Sequence, residues 1–516
     1  LGNEFFLRKI IAALVTLSFL LLPTSASAAT PKAGAKCLKL NQTQSSKGTT
    51  FTCVKSGKKL VWKNSGKKAV DFSITYSTDN GYHTLFNNPC ELDRNIPAEL
   101  SALQKYFYDY TNCAGQLQIA KYTLGSKRPI TAFDSVNKYA NLQSCKLLTP
   151  DGIKGNLGQG FVNSVRESGE YYNVYPAPKT VIQIIPIYSS DTAQPSKSPA
   201  EDYKVFTDFF RDWIVYSSDF DSDVKVRVHD SYIKMPDPLG GYGLEHPVGP
   251  SDPKNVKFNR DLIAAVDPVI DFTDVNLAIV VPPAGTKSFI FSQAAIGGLK
   301  TNEGRVPNVM SQYAAFAKDY EASYYAGAAH PFWWIHEIMH AGIGFDDHYG
   351  DEKKNLATEY GMGYLTMMTP FGGDLTTWEK WRLGFVQNSQ VQCKTDSAAS
   401  MHWIAPSTVQ TKESKAVVIP ISQTKVVVIE TLRPGGLFYK HPLESQGALV
   451  YEVDLMQQEH GMGMKLSLPI GRTVQSNPLF MASAPLKQGE STITNGYKIT
   501  IVEAGTFGDV VKIEKS

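Results

Sequence analysis

The sequence lacks a surplus of charge of either sign: 51 Lys and Arg stand against 49 Asp and Glu, a formal net charge of +2. A dedicated nucleic-acid binder needs a large basic excess to displace counterions, so no nucleic-acid partner is expected. A glycine-rich phosphate loop, a G-x-G-x-x-G turn after a strand and a G-x-S-x-G elbow are also absent, and with them the usual signatures of nucleotide and serine-hydrolase sites. No internal repeat or low-complexity tract occurs, and 40 Gly and 29 Pro in 516 residues exclude a fibrous chain. Cysteine is scarce, six in all, with no C-x-x-C pair of the zinc-ribbon kind. The one extended apolar run, residues 10–22, is shorter than the roughly 20 residues a membrane-crossing helix needs. No transmembrane segment is therefore expected in the mature chain.

That run has a different reading. Arg8 and Lys9 precede it, and Pro23 and the small-residue site Ala26-Ser27-Ala28 follow, the pattern of a signal peptide over residues 1–28 cleaved after Ala28. The expectation is a bacterial protein, secreted or held at the cell wall. An even number of cysteines suits that oxidising compartment. Joining Cys37 to Cys53 closes a loop of about 17 residues, worth about 3 kcal/mol on the chain-entropy model. Cys90, Cys113, Cys145 and Cys393 allow three further connectivities.

Residues 29–68 read as a separate small module. From 31 to 68 the chain carries ten Lys and no Asp or Glu, and strand-like Thr50-Phe51-Thr52-Cys53-Val54 and Leu60-Val61-Trp62 flank a Ser56-Gly57-Lys58 turn. So small a unit relies on its disulfide for stability. Its charge suits an anionic cell-wall polymer, or simply a solvated basic spacer. Its Gly57-Lys58-Lys59-Leu60-Val61-Trp62 ending resembles the short Cys- and Lys-rich module near the mature start of exported actinobacterial proteins. Without residues 1–68 the chain holds 39 basic and 48 acidic residues, so near-neutrality is the sum of a basic appendage and an acidic body.

In the region 69–395, strand-like and helix-like runs alternate. Residues 181–188, 224–228 and 277–281 predict strands, and 201–217, 259–272, 308–326 and 331–341 predict helices. Val205, Phe206, Phe209, Phe210, Trp213 and Ile214 share one face of the first helix. In 396–516 the texture is all β, with strands predicted over 416–421, 425–430, 447–453, 497–503 and 509–513, as in a sandwich.

The sharpest chemical signal is His336-Glu337-Ile338-Met339-His340. On a helix, His at i and i+4 project from one face, so both imidazoles can reach one zinc ion while Glu337 stands beside its water. Chance places this pattern in such a chain about 1% of the time, taking His at about one in 50 and Glu at about one in 20. The bland alternative is a satisfied pair of core histidines on an apolar helix. Downstream, Gly344-Phe345-Asp346-Asp347-His348-Tyr349 ends the helix at glycine and offers carboxylates and another imidazole.

Here the chain resembles the immune inhibitor A-like zinc metallopeptidases, whose active-site stretch runs H-E-x-x-H-x-x-G-L-P-D-x-Y. One extra residue separates His340 from the glycine. Counting from the first His puts Asp346 in the third-ligand place, and counting from the glycine puts Asp347 there. Asp347 is favoured because the glycine turn sets the direction of the residues after it, with Glu359 and His348 as rivals. Tyr364-Leu365-Thr366-Met367-Met368-Thr369 resembles the family's methionine turn, and Leu375-Thr376-Thr377-Trp378-Glu379-Lys380-Trp381-Arg382-Leu383-Gly384-Phe385 its W-x-K-x-x-L-G-W segment. The resemblance spans about residues 175–516 and is strongest over 331–385.

The resemblance implies an α+β fold: a zincin-like metallopeptidase core over 69–395 and a sandwich-like β domain over 396–516. The expected activity is zinc-dependent endopeptidase cleavage of protein or peptide substrates. His336, His340 and Asp347 are the expected ligands, Glu337 the catalytic base, and His348, Tyr349 or Tyr360 the oxyanion stabiliser. The competing reading is a cell-envelope binding protein whose metallopeptidase core is structural or inactive. Two acidic clusters, Asp219-Phe220-Asp221-Ser222-Asp223 and Asp346, Asp347, Asp351 and Glu352, are weaker candidates for Ca²⁺, since neither follows EF-hand spacing.

Overall fold

The computed structural model describes residues 32–40, 42–46, 49–67, 83–86, 120–147, 180–219, 222, 224–244, 248, 251–287, 297–311, 331–340, 345–348, 350, 361–362, 365–369, 373–433, 436–438, 445–457, 461–473 and 484–516. The chain divides into two compact units, residues 1–71 and 72–516.

In the first unit, β1 (Thr43–Ser46), β2 (Thr49–Ser56) and β3 (Lys59–Lys67) form an antiparallel sheet in chain order. Gly57 takes a positive φ of 60° in the two-residue turn joining β2 to β3, a left-handed conformation that glycine adopts at no steric cost. The expected Cys37–Cys53 disulfide is present, and both sulfurs pack with Phe51 and Trp62 in a core of four buried residues.

The second unit is mixed α/β, with far more strand than helix. A short antiparallel pair, β4 (His83–Phe86) with β5 (Ala120–Thr123), precedes its main sheet. That sheet uses β6 (Thr180–Tyr188), β7 (Val224–Val228), β8 (Ile233–Lys234), β9 (Leu277–Val281), β10 (Gly297–Thr301) and β11 (Gly304–Ser311), in the order β10-β11-β9-β6-β7 with β8 also on β6. Strands β6, β7, β9 and β11 run parallel, and β10 closes the edge antiparallel. Helices α1 (Pro199–Ser217) and α2 (Pro253–Val266) make the crossovers. Alternation along the strands sends Ile182, Ile184, Leu277 and Ile279 to the core beneath α1, and Ile185, Ile187, Ala278 and Val280 to the core beneath α2. Both faces are covered, as an essentially parallel sheet requires.

Two helix expectations are corrected. The helix expected over 259–272 spans Pro253–Val266. Asp252 caps it through Lys254 N at 2.8 Å, Pro253 suits the first turn, and Pro268 cannot continue it. The expected helix 308–326 begins as strand, because β11 runs through Ser311; residues 312–326 lie outside those described. Pro307 sits in β11 opposite an irregularity between Gly297 and Leu299, where a missing amide donor costs no ladder bond.

Helix α3 (Pro331–Ile338) carries the motif, and its Trp334 lies 4.7 Å from Phe206 and 5.4 Å from Tyr203 of α1, ring centre to ring centre. Helix α4 (Thr377–Arg382) follows. Beyond it, β12 (Val391–Cys393), β14 (Ala416–Pro420), β15 (Lys425–Leu432), β16 (Gly447–Asp454) and β17 (Met464–Leu466) form one sheet in that order; β13 (Ser400–Ile404), β20 (Gly508–Lys515), β19 (Tyr497–Gly505) and β18 (Ser491–Thr494) form another. Val417, Ile419, Val427 and Ile429 face the second sheet, where Ile499 and Val511 meet them. Their neighbours Ala416, Val418, Val426 and Val428 face the core that holds Trp334 and Trp378. One continuous core thus crosses the 395/396 boundary, and the Cys145–Cys393 disulfide pins it. Cys90 and Cys113 lie outside the described residues. No described helix is long and apolar enough to cross a membrane.

Candidate metal centre

Helix α3 is apolar on the side that packs inward, where Trp334, Ile335 and Ile338 are buried, and this fixes the rotation of the helix. Met339 and His340 widen its end into a π turn. Such a turn takes up one more residue than an α turn. Phe345 N then donates to the Met339 carbonyl at 3.1 Å, which folds the chain back and sets Asp347 opposite the two imidazoles.

Three atoms converge there. His336 Nε2 and His340 Nε2 lie 3.0 Å apart, and Asp347 Oδ1 lies 3.1 Å from the first and 3.2 Å from the second. The side chains of His336 and Asp347 are 2% and 11% exposed, whereas His340 at 22% opens toward solvent. His336 Nδ1 lies 3.0 Å from the Met367 carbonyl and His340 Nδ1 2.6 Å from the Phe345 carbonyl. A carbonyl can only accept, so each Nδ1 carries the hydrogen and each Nε2 presents a lone pair. Two lone pairs and a carboxylate oxygen in mutual contact repel unless a cation sits among them. The near-equilateral spacing is close to the edge, about 3.3 Å, of a tetrahedron of ligands roughly 2.0 Å from zinc, and the donor types are those zinc takes. In the metal-free protein a proton serves instead. Burial opposes a charge on His340, but the Asp347 carboxylate, aided by Glu337 and the Phe345 carbonyl, outweighs it and lifts the imidazole to about 9.

The other sequence candidates lie elsewhere. Asp346 Oδ2 accepts from Gly461 N at 3.0 Å and is outside the trio. His348 is wholly buried with its Nε2 3.2 Å from Glu379 Oε1, so it is placed neither as a ligand nor beside open space. Tyr349, Glu359, Tyr360 and Tyr364 lie outside the described residues. Met367 and Met368 are buried, and their backbone bears on the site: the Met367 carbonyl holds His336, and the Met368 carbonyl accepts from His348 N at 2.8 Å. Of the weaker acidic clusters, Asp219 is spent on the ammonium of Lys415. Among the described residues, only His336, His340 and Asp347 form a metal-holding group.

Sequence reading missed Glu379. Its Oε2 accepts from Thr376 N at 2.7 Å, Thr376 Oγ1 at 2.8 Å and Thr366 Oγ1 at 2.7 Å, with no exposure. The Thr376-x-x-Glu379 capping box was a visible signal for the start of α4, but the reach to Thr366 and His348 was not. Around it lie further buried ions: Lys380 pairs with Asp374 at 2.8 Å, and Glu430 accepts from Thr377 N at 3.1 Å and the Tyr451 hydroxyl at 2.9 Å. No protein-family model matches this chain, and no curated protein matches it either.

Proposed function

We propose that the protein is an exported zinc-dependent endopeptidase. The observation that carries this reading is the convergence of His336 Nε2, His340 Nε2 and Asp347 Oδ1, with Glu337 one residue along the same helix. When bound, zinc supplies Lewis acidity, polarising a peptide carbonyl and acidifying water. The protein's own residues do the rest. His336 and His340 hold their Nδ1 protons on backbone carbonyls and so keep the Nε2 lone pairs aimed inward. The Glu337 carboxylate takes a proton from water as its oxygen bonds to the carbonyl carbon, then gives that proton to the amine as the C–N bond breaks. The more exposed edge at His340 is the side from which a chain segment would approach.

The first unit extends the proposal to anchoring. Lys32, Lys36, Lys39, Lys55, Lys58, Lys59 and Lys63 are all exposed on it, and the 31–68 stretch has no acid to neutralise them. An anionic cell-wall polymer is the partner that charge suits. Purified protein should bind about one zinc per chain and cleave a denatured protein substrate, lose that cleavage to a chelator and regain it with zinc. A chain that retains no metal and cleaves nothing overturns the reading in favour of envelope binding alone. Deleting residues 31–68 should weaken sedimentation with cell wall; unchanged binding removes the anchoring half.

A further inference from the structure

We infer that Glu379 is a positioning residue for the metal centre, holding two of its three ligands, His336 and Asp347, in place through intermediate residues. The inference rests on the proposed zinc reading. One route runs through the methionine segment. Thr366 Oγ1 donates to Glu379 Oε2 at 2.7 Å and accepts from Met368 N at 3.2 Å. The turn so fixed contains Met367, whose carbonyl receives His336 Nδ1 at 3.0 Å and whose amide donates to the Asp374 carbonyl at 2.6 Å. The second route runs through His348, next in sequence to Asp347. Its ring sits 3.2 Å from Glu379 Oε1, its amide donates to the Met368 carbonyl at 2.8 Å, and its carbonyl accepts from Met362 N at 3.0 Å.

Both routes end on one carboxylate with no exposure, anchored to the first turn of α4 by its capping box. A side chain serving only as a helix cap needs no burial and no partners from 13 and 31 residues away. The geometry therefore couples this one carboxylate, through Thr366 and His348, to the direction of His336 Nε2 and Asp347 Oδ1. The effect belongs to the outer shell of a metal site, where losing one such partner costs about ten- to a hundredfold in metal affinity.

The test compares full-length parent, Glu379→Gln, Thr366→Val and Glu430→Gln. The last removes a buried carboxylate on β15 with no bond to the methionine segment among the described residues. Zinc affinity is read by chelator competition, the visible spectrum of the cobalt-substituted protein reports ligand geometry, and thermal unfolding in chelator reports the fold. Glu379→Gln should weaken zinc by about ten- to a hundredfold and alter the cobalt bands. Thr366→Val should do the same to a smaller degree, which decides the matter if Glu379→Gln does not fold. Glu430→Gln should lower the unfolding temperature and leave zinc affinity and spectrum unchanged. Parental affinity and bands in Glu379→Gln, or in Thr366→Val where the former is unfolded, overturn the positioning role. A loss in Glu430→Gln equal to that in Glu379→Gln overturns it too, as a general stability effect. A parent that binds no zinc defeats the underlying reading instead, and so the two failures are distinct.

Discussion

Protons and metal compete for the same nitrogen, and the competition has a calculable size. In the metal-free protein His340 is held at about 9 against its ordinary 6.5, because the Asp347 carboxylate overrides the cost of burial. Zinc needs the bare Nε2, so at pH 7 binding must expel close to one proton per chain. Apparent zinc affinity, corrected for the metal's own hydrolysis, should then rise about tenfold per pH unit between pH 7 and pH 8.5 and flatten above pH 9. The metal-free fold responds with the opposite sign. Its folded pKa is raised, so the stability contributed by the His340 proton is complete below pH 6.5 and is lost as pH climbs through 9. The loss is on the order of 3 kcal/mol, at about 1.4 kcal/mol per pKa unit. Calorimetric titration with zinc at pH 7 in two buffers of different ionisation enthalpy counts the protons, and urea unfolding of chelator-treated protein at pH 6.5 and pH 9 measures the stability. Asp347→Asn should remove most of both effects. Release of no proton, or metal-free stability that rises with pH across this window, would rule out a His340 proton held by Asp347.

Other consequences are separable. Asp347→Asn should cost far more zinc affinity than Asp346→Asn, whose carboxylate accepts from Gly461 N outside the trio; equal losses of metal would contradict the assignment of Asp347. Lys380→Met leaves Asp374 charged and buried, and should cost about 3–5 kcal/mol in urea unfolding, most of it recovered by adding Asp374→Asn. A cost below about 1 kcal/mol would show that the pair is not closed to water. His402 is buried between Gln392 Oε1 at 2.9 Å and Ser400 Oγ at 2.8 Å, and burial pushes its imidazole down to about 4. A depressed histidine is a liability on the acid side: stability should fall as pH drops from 6.5 to 4, by on the order of 3 kcal/mol, and His402→Gln should flatten that limb.

What the sequence made legible tracks the range of the interactions involved. The His336 to His340 spacing is local, and a helix of apolar neighbours is enough to bring the two rings together. Strands Thr180–Tyr188 and Leu277–Val281 are readable for the same reason, since β-branched residues on both faces announce a buried parallel strand. The start of α2 is equally local, in Asp252-Pro253, but an apolar pattern that runs further along the chain masks it. By contrast, residues 308–311 carry no strand signal of their own; they are strand because Gly304–Ser311 finds β9 on one side and β10 on the other. Asp347 is preferred over Asp346 on the direction of a glycine turn, but its approach to the two imidazoles depends on the π turn at 339–340, which no residue pattern advertises. Nothing in the local sequence marks Glu379 and Lys380 as buried. Their burial comes from partners distant in the chain, with Ser217 reaching Asp374 across 157 residues, and such long-range pairing leaves no local trace.

On the proposed function, this site hydrolyses peptide bonds with Glu337 as its proton carrier. Glu337→Gln keeps the shape of the side chain and removes only the base. Measured together, zinc content and the rate of cleavage of a denatured protein give the most direct test. Both proteins should hold about one zinc per chain, with the rate lowered about a hundred- to ten-thousandfold in the variant. Equal cleavage at equal zinc content would contradict that role for Glu337.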